Sequence, residues 1–128
     1  MPKLVLTVNR PVDAAVKATL ATVLTELTAE HLNKKPEVTM VNIRDDHSDW
    51  YINGEKNNRA TTSYDLIVQI TTGTNTDQEK EAWLAATSEL LNKELGLSHS
   101  LPNYISIFDV DGKSWGFNGL SQYARLNK

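Results

Sequence analysis

Hydrophobic positions in the first half of the chain change their period, which predicts a strand, a helix and a second strand. Residues 4–8 (LVLTV) form a short β-rich run close to the amino terminus. Pro11 then suits the first turn of a helix. Apolar residues follow at spacings of three and four, as on one face of a helix: Val16, Leu20, Val23, Leu24 and Leu27. Residues 38–43 (VTMVNI) favour a second strand.

The second half of the chain repeats this order of elements. Residues 66–70 (LIVQI) predict a strand. Thr76 and Glu79 have the spacing of a capping box, so a helix is expected to begin there, and Gly96 suits its left-handed carboxyl cap. The apolar positions of this helix are Trp83, Leu84, Leu90, Leu91 and Leu95. Residues 104–108 (YISIF) predict the last main strand.

Each half ends in a similar five-residue phrase, WYING at 50–54 and WGFNG at 115–119, which lie 65 residues apart. The Asn-Gly pairs are typical of tight hairpin turns. The same offset overlays Met40 on Ile105 and Ile43 on Phe108, whereas the first strands overlay at 62 residues. The chain is therefore predicted to be a single domain of two β-α-β repeats, at about 1–55 and 64–119, joined by a polar linker.

A helix-length crossover joins parallel strands, so the prediction is an α+β fold. The expected core is one four-stranded mixed sheet with two helices on one face. Because LVLTV and LIVQI barely alternate, the uncovered face is also expected to be apolar, which favours association. The short hairpin strands would then pair between subunits, in a homotrimer.

Composition narrows the class of protein. The 128 residues are 40% hydrophobic and 23% charged, as is typical of one soluble domain. A net charge of −3 argues against a nucleic-acid partner, and the absence of Cys excludes disulfides and thiolate chemistry. No apolar run approaches the roughly 20 residues that span a membrane, and the amino terminus lacks a signal peptide's apolar core. A cytoplasmic protein without membrane contact is expected.

Two acidic segments are candidates for a metal site. The run Asp45-Asp46-His47 with Asp49 is better explained as a solvated loop. Asp109-x-Asp111-Gly112 resembles the start of a calcium loop but lacks the later Asp and the closing Glu. We therefore predict no metal site.

A doubled β-α-β-hairpin unit with Pro2 directly after Met1 resembles the tautomerase superfamily. This superfamily includes 4-oxalocrotonate tautomerase, macrophage migration inhibitory factor and the malonate semialdehyde decarboxylases. The resemblance covers nearly the whole chain through its architecture. It implies a tautomerase-type isomerase, with no cofactor, that acts on a small carboxylate-bearing molecule and uses Pro2 as the catalytic base.

The same resemblance implies substrate-binding positions. Arg10 lies near the first substrate arginine of 4-oxalocrotonate tautomerase, whose second arginine falls at Thr39. Lys34 and Tyr104 fall where the inhibitory factor has its pocket lysine and tyrosine, and Ser106 replaces its asparagine. The aromatic residues of the two phrases are further candidates for substrate contact, although packing between subunits is an equal alternative for the tryptophans: Trp50, Trp115 and Phe117.

Two features of the sequence bear on the alternatives to an isomerase: the residues at the decarboxylase arginine positions and the presence of Met1. The arginine pair of the decarboxylases would align with Gly73 and Asn75, which argues against decarboxylase or haloacrylate chemistry. A lyase or hydratase on the same scaffold stays open as an alternative. If Met1 is retained, the Pro2 nitrogen is an amide, and a non-catalytic binding protein becomes the favoured interpretation.

The chemistry of a terminal proline fits the isomerase prediction. Its secondary amine is a basic backbone nitrogen, and the pKa of an α-amino group in model peptides is about 8. Apolar walls lower this pKa because they disfavour the ammonium form. Such a base can remove a proton from carbon beside a carbonyl. Arg10 or Lys34 would hold the substrate carboxylate, and the Tyr104 hydroxyl would stabilise an enolate oxygen.

Overall fold

The computed structural model of the chain describes residues 2–57, 61–97 and 101–127. Met1 and residues 58–60 of the predicted linker lie outside these ranges. The strands are β1 (Lys3–Val8), β2 (Met40–Asp45), β3 (Tyr51–Ile52), β4 (Glu55–Lys56), β5 (Tyr64–Thr71), β6 (Tyr104–Val110), β7 (Gly116–Phe117) and β8 (Leu120–Ser121). The helices are α1 (Ala14–Leu32), α2 (Asp77–Leu95) and α3 (Gln122–Leu126), with a 3₁₀ turn at Pro36–Val38.

The main sheet has the strand order β2-β1-β5-β6. Strand β1 pairs in parallel with β2 and antiparallel with β5, and β5 pairs in parallel with β6. Each parallel pair is joined by a long helix. The predicted four-stranded mixed sheet built from β-α-β units is therefore confirmed.

The core lies between one face of the sheet and the two long helices. Alternate residues of the central strands are buried, because successive strand side chains point to opposite faces: Leu4, Leu6, Val8, Leu66, Val68 and Ile70. The helices bury every fourth residue against them: Leu20, Leu24, Thr28 and Leu32 from α1, and Trp83, Thr87, Leu91 and Leu95 from α2. The helices also contact each other, and the Trp83 indole donates to the Thr28 hydroxyl at 3.1 Å.

The predicted overlay of the second strands is wrong by one residue. Lys3 pairs with Met40, and the corresponding Asp65 pairs with Tyr104, so Met40 matches Tyr104 rather than Ile105. A slip of one residue moves every strand side chain to the opposite face. Met40 is accordingly exposed, whereas Ile105 packs against the core. The hairpins do keep the 65-residue offset, so the extra residue lies between β6 and its hairpin.

The uncovered face of the sheet is more polar than the sequence predicted. Its central row contains Val5 and Ile67, and large exposed side chains lie on its outer strands: Met40, Tyr104 and Phe108. Between them lie polar or charged residues: Lys3, Thr7, Asn42, Arg44, Asp65, Gln69 and Ser106. The alternation of buried and exposed residues was not visible in LVLTV and LIVQI, because Val5 and Ile67 are apolar although they lie on the uncovered face.

Two element starts differ from the prediction. Helix α1 begins at Ala14 with Asp13 as its N-cap, so Pro11 precedes the helix. The start is held instead by Asp45, whose carboxylate accepts from the Val12 N–H at 3.2 Å and from Lys17 at 2.9 Å. Strand β2 begins at Met40 because Val38 ends the 3₁₀ turn.

The predicted caps and turns are confirmed. The Thr76 hydroxyl accepts from the Glu79 N–H at 3.2 Å, and the Glu79 carboxylate accepts from the Thr76 N–H at 2.8 Å. Gly96 caps α2 with a φ of 65°. Both hairpin turns have positive φ at Asn and Gly: 55° and 73° in residues 53–54, and 52° and 81° in residues 118–119. Within the described ranges, none of the helices is both long and apolar enough to cross a membrane.

Candidate active site

A cleft of about 620 Å³ opens at the end of the sheet where β1 starts and β6 ends. Because β1 and β5 are antiparallel, the hairpin that follows β6 returns to the start of β1. We call this space the Pro2 cleft, and its walls include Pro2, Lys3, Val38, Met40, Trp115 and Phe117. Pro2 is buried, and its carbonyl oxygen accepts from the Met40 N–H at 3.3 Å.

The second hairpin forms one wall of the Pro2 cleft. The Trp115 indole donates to the Thr71 hydroxyl at 3.1 Å, which fixes the start of the hairpin against β5. At Gly116 a Cβ atom would lie 1.9 Å from the Leu120 carbonyl oxygen, so the close approach of β7 and β8 requires glycine. This approach sets the position of Phe117, which lines the cleft.

A second cavity of about 470 Å³ shares Val38 and Phe117 with the Pro2 cleft. We call it the cationic lobe, because Lys34, Lys35 and Arg125 line it. Lys34 donates to the Thr74 hydroxyl at 2.9 Å. Burial lowers the pKa of Lys34, while the negative charges of Glu79 and Asp109 act in the opposite direction. The lobe thus holds a lysine whose ammonium form is partly desolvated.

Arg125 and Lys35 are site residues that the sequence did not identify. The Arg125 guanidinium donates from Nη2 to the Phe117 carbonyl oxygen at 2.7 Å and lies 3.7 Å from the centre of the Phe117 ring. It is carried by α3, which begins at Gln122 after the Ser121 N-cap. A helix of five residues is too short to show a period, so the cap was its main local signal.

The predicted site residues divide between the two ends of the sheet. Pro2, Trp115 and Phe117 line the Pro2 cleft, and Lys34 lines the adjoining lobe. Tyr104 pairs with Asp65, which pairs with Thr7 near the other end of β1. Roughly 20 Å of extended chain separates these ends. Arg10, Trp50 and Tyr104 lie at the far end, and Ser106 lies mid-strand beside Ile67 on the uncovered face.

In the first acidic segment, residues 45–49, the Asp46 carboxylate is hydrogen-bonded to neighbouring side chains. The Trp50 indole donates to Asp46 at 2.5 Å, and Ser48 also bonds to Asp46. These hydrogen bonds, led by that of Ser48, lower the pKa of Asp46. Asp109 of the second acidic segment pairs with Lys80 at 2.9 Å. In the part of the chain that the structure describes, no group of three or more acidic or histidine side chains could hold a metal ion.

Three residues of this chain align with functional arginines of the relatives but have structural roles here: Gly73 and Asn75 for the decarboxylases, and Thr39 for 4-oxalocrotonate tautomerase. Gly73 adopts a φ of 80° in the turn after β5. The Asn75 side chain donates to the Leu32 carbonyl at 2.8 Å, which joins this turn to the end of α1. Thr39 lines the Pro2 cleft, and its hydroxyl donates to the Lys35 carbonyl at 2.8 Å. Each of these residues therefore has a structural role in holding the end of the sheet.

The family follows from comparison with known proteins. The family model of macrophage migration inhibitory factor (MIF) matches residues 1–122. The chain belongs to the MIF family. Among curated proteins, none matches this sequence.

Solved structures share the fold of this MIF-family chain at low sequence identity. The R7 fused 4-OT, an asymmetric trimer, has a TM-score of 0.82 at 21% identity and covers 98% of this chain and 99% of its own. Pt0534 inactivated by 2-oxo-3-pentynoate has a TM-score of 0.83 at 17% identity, with 96% and 98% covered. The MIF-like protein of Entamoeba histolytica has a TM-score of 0.76 at 15% identity, with 94% and 97% covered. The match to the MIF family confirms the resemblance to the tautomerase superfamily, and these neighbours share the fold of the chain.

Proposed function

We propose that this MIF-family protein is a keto–enol tautomerase with the Pro2 nitrogen as its general base. The observation that carries this proposal is the position of Pro2, which is buried at the start of β1 in the wall of a cleft that adjoins three cations. The amine removes a proton from the carbon beside a carbonyl, and the electron pair moves to the carbonyl oxygen. Return of the proton to that oxygen gives the enol, and return to a different carbon of a conjugated substrate gives the isomeric ketone; ketonisation of an enol runs the first sequence in reverse.

This mechanism requires the removal of Met1, since the Pro2 nitrogen is an amide while Met1 is attached and a basic amine once it is removed. Apolar neighbours in the cleft favour the neutral amine because they disfavour the charged form: Val38, Met40 and Phe117. Lys3 and Glu37 also line the cleft, and their opposite charges act on the amine in opposite directions. Lys34 or Arg10 anchors the anionic substrate, while Trp115 and Phe117 contact its body. The negative charge that develops on the carbonyl oxygen needs a donor such as the Tyr104 hydroxyl.

We further propose that the active site is completed in a homotrimer. Arg10, Trp50 and Tyr104 lie at the far end of the sheet from Pro2 of their own chain, so they can serve a Pro2 only in a neighbouring subunit. Strands β2 and β6 are the edges of the main sheet, and each short hairpin pairs only within itself in the described chain. Edge strands with free backbone groups are templates for pairing with another chain. The R7 fused 4-OT is itself a trimer.

The proposal is tested by blocking the Pro2 nitrogen. A lysine inserted between Met1 and Pro2 leaves the sheet intact but turns the base into an amide. Ketonisation of the enol of phenylpyruvate, and conversion of 2-hydroxydienoates, should fall by about a hundredfold or more. Pro2→Ala is the matched control, because it retains a primary amine and should keep part of the activity. Intact mass of the protein from its native host establishes whether Met1 is removed.

An electrophile gives a second measurement on the same nitrogen. We expect 2-oxo-3-pentynoate to add to the free amine, with a new N–C bond at the alkyne and transfer of the amine proton to carbon. Peptide mass analysis should place the adduct on Pro2 in the wild type and find none there in the insertion variant. Full tautomerase activity in the insertion variant would rule out Pro2 as the base. Retained Met1 in native protein would favour a binding protein instead.

A further inference from the structure

The cationic lobe concentrates positive charge in an acidic protein. The chain has a net charge of −3, yet the lobe is lined by Lys34, Lys35 and Arg125 and by no Asp or Glu. Among the described residues, the ion pairs include none of these three cations. Like charges brought together at one surface repel each other unless an anion neutralises them. The lining of the lobe therefore holds three positive charges and no negative one, and Lys34 is also acted on by carboxylates outside the lining, those of Glu79 and Asp109.

Arg125 is held in place by contacts that leave its charge unbalanced. Its guanidinium is fixed by the Phe117 carbonyl and by the face of the Phe117 ring. Its Nε is buried and has no hydrogen-bond partner among the residues that the structure describes. An arginine fixed in this way loses little freedom when it binds an anion, and its planar donors match the oxygens of carboxylate and phosphate. Arg125 is thus preorganised to recognise an oxyanion.

Lys34 and Lys35 add two further positive charges beside the planar guanidinium of Arg125. Lys34 is positioned by its bond to Thr74 at the turn after β5, and Lys35 is exposed at the start of the 3₁₀ turn. Burial of Lys34 costs free energy in its charged form, and a nearby anion offsets that cost. Three cations around one cavity suit a group with more than one negative charge better than a single carboxylate.

We propose that the cationic lobe is a subsite for a doubly charged oxyanion, of which phosphate is the simplest. The lobe meets the Pro2 cleft at Val38 and Phe117, so one extended molecule can occupy both. In terms of the proposed function, on which this use of the subsite rests, the substrate is a small keto compound with a phosphate-like group at its far end. Lys34 then acts on that end, and Arg10 of a neighbouring subunit is left to hold a carboxylate beside the reacting carbon.

Calorimetric titration of the full chain with inorganic phosphate and with acetate tests the subsite without any catalysis. At low ionic strength and at a pH where phosphate is doubly charged, the wild type should bind phosphate at least about tenfold more tightly than acetate. Arg125→Gln and Lys35→Gln should each weaken phosphate binding by about tenfold or more. Lys35 is exposed, so Lys35→Gln is expected to fold normally. It keeps the test valid even if Arg125→Gln, which loses the contacts to Phe117, is destabilised. Lys93→Gln, an exposed charge on α2, is the control and should change affinity by less than about twofold.

Three results would overturn the subsite: equal binding of acetate and phosphate, unchanged phosphate affinity in Lys35→Gln, or an equal loss in Lys93→Gln. The chain with lysine inserted before Pro2 separates this inference from the proposed function. It should bind phosphate as the wild type does while lacking tautomerase activity. An active wild type that fails to bind phosphate contradicts the subsite alone. A phosphate-binding wild type without tautomerase activity contradicts the proposed function alone.

Discussion

The burial of Lys34 predicts how the KM of the protein should depend on pH. Desolvation by burial lowers the pKa of its ammonium group below that of an exposed lysine. The charged form binds the anionic substrate, so KM should be low below this pKa and should rise as the pH passes through it. The alkaline rise in KM is thus expected at a lower pH than for an ordinary lysine. Steady-state kinetics across the alkaline range measure it.

Substitution at the same position supplies the control. Lys34→Arg keeps a positive charge over the whole range, so its KM should lack the alkaline rise. Lys34→Met should raise KM by about tenfold or more with a smaller change in kcat, because it removes binding that is shared by substrate and transition state. If Lys34→Arg and the wild type show the same alkaline profile, Lys34 is not the group that titrates.

At the scale of the element, the capping box shows how a local sequence feature contributes to folding. Thr76→Ala removes the acceptor for the Glu79 N–H at the start of α2. We expect it to lower the free energy of unfolding by about 1 kcal/mol. Thr19→Ala is the matched control, since Thr19 is exposed within α1 and only donates to the Ala15 carbonyl one turn earlier. Its effect should stay within about 0.5 kcal/mol.

Urea unfolding of both variants, at one protein concentration, measures this difference. Equal concentration matters because association stabilises the folded chain by mass action. Equal midpoints for Thr76→Ala and Thr19→Ala would contradict a stabilising role of the cap.

At the scale of the whole molecule, the uncovered sheet face carries the prediction of assembly. Phe108 is 50% exposed on edge strand β6, and Met40 is 63% exposed on edge strand β2. With a chain mass of 14.3 kDa, light scattering should give about three times this value for a trimer. Phe108→Glu should shift the mass towards one chain, because a carboxylate in the interface is desolvated without a partner.

Ala18→Glu is the control for the added charge. Ala18 is exposed on α1, in the helix layer on the other side of the sheet. This variant should remain a trimer, and its tautomerase activity should persist. Phe108→Glu should lose activity along with assembly, since Arg10 and Tyr104 would no longer approach a neighbouring Pro2. A wild-type mass equal to one chain at micromolar concentration would exclude the trimer.

Features that depend on neighbours along the chain could be predicted from the sequence. Thr76, Glu79 and Gly96 mark the ends of α2 because their groups bond within one or two turns, and the Asn-Gly pairs form turns because they tolerate positive φ. The β-α-β order could be predicted for the same reason. The resemblance to a known superfamily also pointed to Pro2, whose nitrogen is basic only when proline is the terminal residue.

Which distant residues meet depends on strand pairing and packing, and it became known from the three-dimensional fold. The antiparallel pairing of β1 with β5 brings the second hairpin to Pro2 and leaves Tyr104 at the opposite end. Strand register depends on packing between strands, and a slip of one residue exchanges the two faces, which is why the overlay of Met40 on Ile105 was wrong. Arg125 joins Lys34 across most of the chain because α3 returns to the end of the sheet. Contacts of this kind are fixed by burial and pairing over long separations, and no spacing along the sequence records them.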